Sequence, residues 1–178
     1  LAIQKGMHFL EYSSQGKGVL LSSISGEKNS KVTIIGCGEV GRASIHKSVQ
    51  IGASVTAIDV NEKTLEDLKN KYSENISIII SGTDEAVNAI RSADLVIGAV
   101  LLPGRKPPVV VTEEDISAME KGTVIVDVAI DQGGCVEGVT SNTHSDPFEI
   151  RNGVIVSAIA NLPGAVPRTS SIELMSSS

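Results

Sequence analysis

From residue 31 onward the chain alternates two hydrophobic rhythms. Val32–Ile35 is a short β-branched run ending at Gly36, the pattern of a buried strand. Gly41, Ile45 and Val49 then recur at helical spacing, with small Ser44 and Ser48 beside them, and Gly52 suits a helix stop. Ser54–Asp59 predicts a second strand. Asn61 is placed to cap a helix carrying Leu65, Leu68 and Tyr72 on one face, and the isoleucine-rich run Ile76–Ile80 predicts a third strand. Thr83–Arg91 reads as a helix with Val87 and Ile90 inward, and Leu95–Val100 as a fourth strand. Thr112 and Asp115 have capping-box spacing before Ile116 and Met119, with Gly122 as the expected stop. Thr123–Val128 and Val154–Ala158 complete six strands. Strands alternating with helices in this way build βαβ units and a parallel, doubly wound sheet.

The first thirty residues have another texture. Ile3, Met7 and Leu10 form a helical stripe within Leu1–Tyr12. That stripe needs a cover, which we expect in a missing domain or another subunit. Ser13–Ser30, with Gly16, Gly18 and Gly26 around the apolar patch Val19–Leu21, reads as a linker with one brief extended segment.

Composition narrows the classes. At 178 residues the chain has the length of one domain, and 41% hydrophobic against 20% charged residues excludes a disordered chain. Two Phe, two Tyr and no Trp leave no stacking platform for nucleic acid, and a net charge of -6 leaves no basic footprint for nucleic acid or anionic lipid. Cys37 and Cys135 form no CxxC, and His8, His46 and His144 lack ligand spacing, so we expect neither a metal site nor a disulfide. No apolar run is long enough for a membrane span, and no signal peptide is evident. A cytoplasmic setting is expected. The start at Leu1 rather than Met reads as a partial chain.

The candidate chemistry begins at Gly36-Cys37-Gly38-Glu39-Val40-Gly41, a GxGxxG directly after a strand and opening a helix. Gly36 permits the tight turn, Gly38 the approach of a pyrophosphate to the backbone, and Gly41 close helix–strand packing. The helix N-terminus offers free N–H groups to phosphates. Asp59 ends the second strand, where an acid accepts from the adenosine ribose and repels a 2′-phosphate, which favours NAD over NADP. Neither Val60 nor Thr64 adds a positive charge there. Cys37 reads as a small filler rather than a nucleophile, since no base is placed near it. The fold expected is thus α/β, a Rossmann-type doubly wound parallel sheet with flanking helices.

Three further segments lie at the carboxyl edge of the expected sheet. They are Gly98-Ala99-Val100-Leu101-Leu102-Pro103-Gly104, Asp127-Val128-Ala129-Ile130-Asp131-Gln132-Gly133-Gly134, and Ala160-Asn161-Leu162-Pro163-Gly164-Ala165-Val166-Pro167-Arg168-Thr169-Ser170. Asp131 falls beyond its strand at the ligand edge, whereas Asp127 lies nearer the strand body and reads as structural. Pro167 suits the first turn of a terminal helix.

In this order after a GxGxxG, VIGAVLLPG, VDVAIDQGG and NLPGAVPRTS resemble bacterial L-alanine dehydrogenases over essentially the whole chain. The resemblance implies a reversible NAD-dependent oxidative deamination of L-alanine to pyruvate and ammonia. By family role, Gly36, Gly38, Glu39, Val40 and Gly41 hold the pyrophosphate, Asp59 the adenosine ribose, and Ser81 lies toward the adenine. Val100, Leu101 and Ile130 line the nicotinamide pocket, and Asn161 and Leu162 close its end. Asp131 sits beside the reacting carbon as the catalytic residue. Thr64 departs from the usual Arg or Lys, and Leu162 from the usual Met.

The family's substrate-binding Arg, Lys and His have no match here. None of His8, His46 and His144 corresponds to that His, and each reads as a surface residue. The resemblance therefore implies three parts: residues 1–30 as linking helix and linker from a missing substrate domain, 31–165 as the NAD-binding domain, and 166–178 as the start of a C-terminal hinge helix. It implies a chain that binds NAD but is inactive alone, with alanine or pyruvate as small-molecule substrate in a homo-oligomer. Two alternatives stay open: the related NAD(H)-binding component of a proton-translocating transhydrogenase, and a non-catalytic NAD-binding module.

Overall fold

Seven strands form one sheet in the order β3-β2-β1-β4-β5-β7-β6 in a computed structural model, which describes residues 1–22 and 30–176. Gly26 of the expected linker and the last two residues of the expected hinge helix lie outside the described residues. The strands are β1 (Lys31–Ile35), β2 (Ser54–Asp59), β3 (Ile76–Ile80), β4 (Leu95–Gly98), β5 (Val124–Asp127), β6 (Glu149–Arg151) and β7 (Val154–Ser157). All neighbours pair in parallel except β6 with β7. The order reverses between β1 and β4, which is the switch point of a Rossmann-type α/β fold.

Alternation along each central strand divides the core in two. Leu95 and Ile97, Val124 and Val126, and Ile155 pack on one face with Ile45, Leu65 and Leu68. Val96, Ile125, Val154 and Val156 pack on the other with Ala86, Ile90 and Ile116. The helices α1 (Ala2–Phe9), α2 (Glu39–Gln50) and α3 (Glu62–Tyr72) cover the first face, and α4 (Asp84–Arg91) and α5 (Glu113–Ala118) the second. Pro167 opens α6 (Pro167–Ser176), as expected.

Several local expectations hold for their stated reasons. The Asn61 side chain accepts from the Thr64 N–H at the start of α3, and Gly52 takes φ 82 just past α2. Thr112 and Asp115 form the capping box of α5. Burial would raise the Asp115 carboxyl's pKa, but the Thr112 N–H and hydroxyl and the Arg91 guanidinium hold it below its ordinary value.

Other elements differ. Helix α5 ends at Ala118 rather than near Gly122, because Met119 is already extended; Gly122, at φ 81, instead abuts the Gly16–Lys17 backbone. In α4 it is Ala86 with Ile90 that is buried, while Val87 is only partly covered. Strands β4 and β5 are shorter than their apolar runs, since the chain leaves the sheet to form the carboxyl-edge loops.

The largest correction concerns α1. Much of its stripe is covered from within: Ile3 and Leu10, with Phe9 beside them, are buried in this chain, Met7 is partly covered, and Gly6 lies against Leu95 of β4. The segment after it is also held. Lys17 pairs with Asp94 at 2.9 Å, its N–H donates to the Gly122 carbonyl, and Leu21 is buried although no strand forms at Val19–Leu21.

Candidate functional site

The turn from β1 into α2 is built by contacts that only glycine tolerates at two positions. Gly36 has φ 90, and a Cβ there would lie 2.6 Å from the Ala99 carbonyl oxygen. The loop after β4 therefore crosses directly behind the loop after β1. At Gly41 a Cβ would collide with the Gly36 carbonyl. At Gly38, the N-cap of α2, a Cβ would meet nothing within 4 Å. The open side of the loop is thus at Gly38, where the first N–H groups of α2 have no partner within the helix.

Asp59 does more than face the loop. Its Oδ2 accepts from the Cys37 N–H at 2.6 Å and its Oδ1 from the Asn61 N–H at 2.9 Å. One carboxylate thus fixes both the glycine turn and the start of α3, with lone pairs left over for a ligand. The Ser81 N–H donates to the Asp59 carbonyl, which puts Ser81 beside this acid at the end of β3. Cys37 is buried. Burial, then the Asp59 carboxylate, push its thiol up to about 12, against a smaller opposing effect of Arg42. A thiol held that far from ionisation is a filler, as the sequence implies.

Two neighbouring spaces open at the carboxyl edge. The smaller, of about 240 Å³, runs between Gly38, Glu39 and Val40 on one side and Ala99, Val100, Leu101, Pro103, Val128 and Ala129 on the other. The larger, of about 890 Å³, lies between α1, α2 and the ends of β5 and β7; Asp131 and Leu162 line it. Val40 and Val128 belong to both.

Asp131 is exposed, in a single helical turn over Ile130–Gln132. Ile130 is partly buried and turned toward Gly134; it lines neither space. Asp127 is buried and accepts from the N–H groups of Ala129, Cys135 and Val136 at 2.9, 2.7 and 3.1 Å, which is the structural role expected of it. Asn161 is exposed in left-handed backbone at φ 51, and Leu162 begins the short helical turn that follows. Most of the predicted residues fall into three groups. Gly38, Glu39, Val40, Val100 and Leu101 meet across the smaller groove, while Asp131 and Leu162 meet in the larger space. Asp59 and Ser81 sit together at the far end of the glycine loop.

A family model described as alanine dehydrogenase/PNT, C-terminal domain, matches residues 2–178. The chain belongs to this family. The alanine dehydrogenase of Bacillus subtilis (strain 168) is 48% identical over 175 residues, which is 98% of this chain and 46% of that protein. That of Geobacillus stearothermophilus is 42% identical over 98% of this chain and 47% of its own length. A solved L-alanine dehydrogenase matches the fold with a TM-score of 0.90 at 41% identity, over 94% of this chain and 46% of that one. The transhydrogenase of Sinorhizobium meliloti matches with a TM-score of 0.78 at 25% identity, over 96% and 50%. The chain spans about half the length of these relatives.

For this alanine dehydrogenase/PNT C-terminal domain, three site residues escape a linear reading. Val128 lines both spaces, yet in sequence it is one more valine of a strand. Arg42 braces the glycine loop, its Nε donating to the Cys37 carbonyl at 3.1 Å. Its position just after GxGxxG was the available signal. His144 lies 3.2 Å from the Asn161 carbonyl through its Nε2, so it stands at the mouth of the 161–165 turn. Nothing in the sequence pairs residues that far apart.

Proposed function

We propose that this chain is the NAD-binding domain of an NAD-dependent alanine dehydrogenase. The full-length protein would convert L-alanine, NAD and water to pyruvate, ammonia and NADH. The observation that carries the reading is the smaller groove. It joins an open Gly38 at a helix N-terminus to the small Ala99 and the aliphatic Val100 and Val128 at the topological switch point. Gly38 and the N-terminus of α2 would hold the pyrophosphate of a dinucleotide, with Gly36 and Gly41 bracing the loop from behind. Asp59 would take the adenosine ribose, with Ser81 toward the adenine. Val100, Leu101 and Val128 would line the way of the nicotinamide end toward Asn161 and Leu162.

NAD bound there would supply the acceptor for the hydride of the alanine Cα. The chain's own residues do the rest. Val40, itself 52% exposed, and the half-buried Val128 present hydrocarbon where the two spaces meet. Asp131, exposed in the larger space, is placed to take or position a proton beside the reacting carbon. Alanine or pyruvate would be gripped by residues beyond this sequence. The reading also carries a cytoplasmic homo-oligomer. The two free, buried cysteines are in keeping with a reducing compartment.

Identity supports alanine dehydrogenase over transhydrogenase, since it falls from 41% to 25% between the two solved structures. Two measurements test the proposal. Calorimetry on this chain should show NAD binding at least about tenfold tighter than NADP, the equivalent of ~1.4 kcal/mol. The full-length protein should form NADH on addition of alanine. NADP binding as tight as NAD would refute the role of Asp59, and NAD binding without alanine-dependent NADH would return the protein to the two alternatives.

A further inference from the structure

We propose that Asp127 is a positioning residue for Asp131, closing the 129–136 loop into the one form that holds Asp131 in the larger space. The inference rests on the reading of Asp131 as a catalytic residue and goes beyond it. The sequence feature that prompts it is the odd ending of β5, two aspartates four apart followed by a glycine pair, which the glycine fingerprint leaves unexplained.

The geometry accounts for that whole string. Asp127 is the last residue of β5 and only 1% exposed. Its Oδ1 accepts from the Ala129 N–H, where the loop departs, and its Oδ2 from the Cys135 and Val136 N–H groups, where the loop returns. The two ends are thus clamped by one buried acceptor, and Ile130, Asp131 and Gln132 form the projecting turn between them. Gly133 and Gly134 take φ 102 and 73, which lets the chain double back at once. A Cβ on Gly134 would collide with the Val139 side chain and stand 2.9 Å from Asp127 Oδ2, so the second glycine makes room for both the carboxylate and Val139.

The clamp also reaches the coenzyme groove. The Val128 N–H donates to the Gly98 carbonyl at 2.9 Å, and the Cys135 thiol abuts both Gly98 and Asp127 Oδ1. The Cys135 carbonyl accepts from Val110, and Val136 bridges Val111. The returning limb is therefore tied to the segment before α5, and the departing limb to β4. Neither limb can move without breaking buried hydrogen bonds, and among the described residues Asp127 is the one side chain that holds both, so it restrains Asp131 between them. An aspartate at the end of a flexible loop would sample many placements, whereas catalysis requires one.

The test is a double-mutant cycle in the full-length protein, with Asp127→Asn, Asp131→Asn and both together. It reads alanine-dependent turnover and the NAD dissociation constant. Asn at 127 keeps one acceptor and turns an NH₂ toward either limb, which releases one end of the loop. We expect Asp131→Asn to lower kcat roughly 100-fold or more. Asp127→Asn should lower it roughly tenfold or more, with NAD affinity changed by less than about threefold. The double variant should be no slower than Asp131→Asn alone, because Asp127 acts only through Asp131.

Losses that multiply in the double variant would overturn the proposal while leaving Asp131 in the chemistry. So would an Asp127→Asn that weakens NAD binding as much as it slows turnover. A silent Asp131→Asn would remove Asp131 from the chemistry, and the positioning role would fall with it. If Asp127→Asn does not fold, Gly134→Ala displaces the same loop from its other side. It must show the same split, lower kcat at near-constant NAD affinity, or the proposal fails.

Discussion

Asp59 is a residue with two employments. Read along the chain, it is the acid that ends the second strand after a glycine loop, and the role proposed for it toward the ribose rests on that position. The structure adds that both its oxygens already hold backbone N–H groups, at Cys37 and Asn61. Cys37 is buried, so removing the acceptor leaves its N–H stranded. Asp59→Ala should therefore lower domain stability by about 1–3 kcal/mol and weaken NAD and NADP together. Asp59→Asn keeps a carbonyl oxygen for Cys37 and loses only the charge. It should lose less NAD affinity and narrow the gap between NAD and NADP. Calorimetry with both coenzymes and urea titration of both variants check this. An alanine variant of undiminished stability that gained NADP would mean the carboxylate serves the coenzyme alone. The hydrogen bonds that join Asp59 to Cys37 and His144 to Asn161 span 22 and 17 positions and have no signature in sequence.

At the level of elements, the periodicities of 2 and 3.6 were legible wherever an element is amphipathic or fully buried. Strands β1 to β5 and β7 and helices α2 to α5 all lie within their apolar runs or the caps beside them. Strand β6 was not legible: Glu149-Ile150-Arg151 carries two charged residues and pairs on one side only, so no hydrophobic pattern marks it. Helix α1 was legible as a helix, but its cover was not. A stripe states that something must bury it, never what does so. Because Leu10 is completely buried against the sheet side, Leu10→Ala should destabilise this chain by about 2–4 kcal/mol in urea unfolding. Tyr12→Ala, at 87% exposure, should change it by no more than about 0.5 kcal/mol. Equal, small effects would make α1 an attachment rather than part of this domain's core.

For the molecule as a whole, the parallel, doubly wound sheet follows from the alternation of elements together with the handedness of βαβ crossovers. The strand order does not, because several orders satisfy both rules, and it is the structure that sets the glycine loop at the switch point between β1 and β4. What pattern could not supply was the division of the carboxyl edge into a narrow groove and a wide space, since that depends on how far α1 stands from β5. A ligand spanning the groove binds only the folded chain, so it must raise thermal stability. At about 100 times its dissociation constant NAD should add about 2.7 kcal/mol, a rise in Tm of roughly 5–10 °C for a domain of this size. NADP at the same concentration should add clearly less. Differential scanning fluorimetry with an external dye reads both, and it needs no tryptophan, of which the chain has none. Identical shifts from the two coenzymes would count against the groove as the discriminating site.

Val40 and Val128, the residues common to both spaces, have a consequence for how the proposed reaction is partitioned. Two kinds of hydrogen must leave alanine, one with its electrons and one without. The first needs a dry crossing, because a hydride equivalent cannot be relayed through solvent. The second needs a wet one, because protons travel along polar contacts. Branched hydrocarbon offers water nothing to bond, while Asp131 lines the larger space only. In the proposed reaction the two valines would thus stand between the way of the hydride and that of the proton.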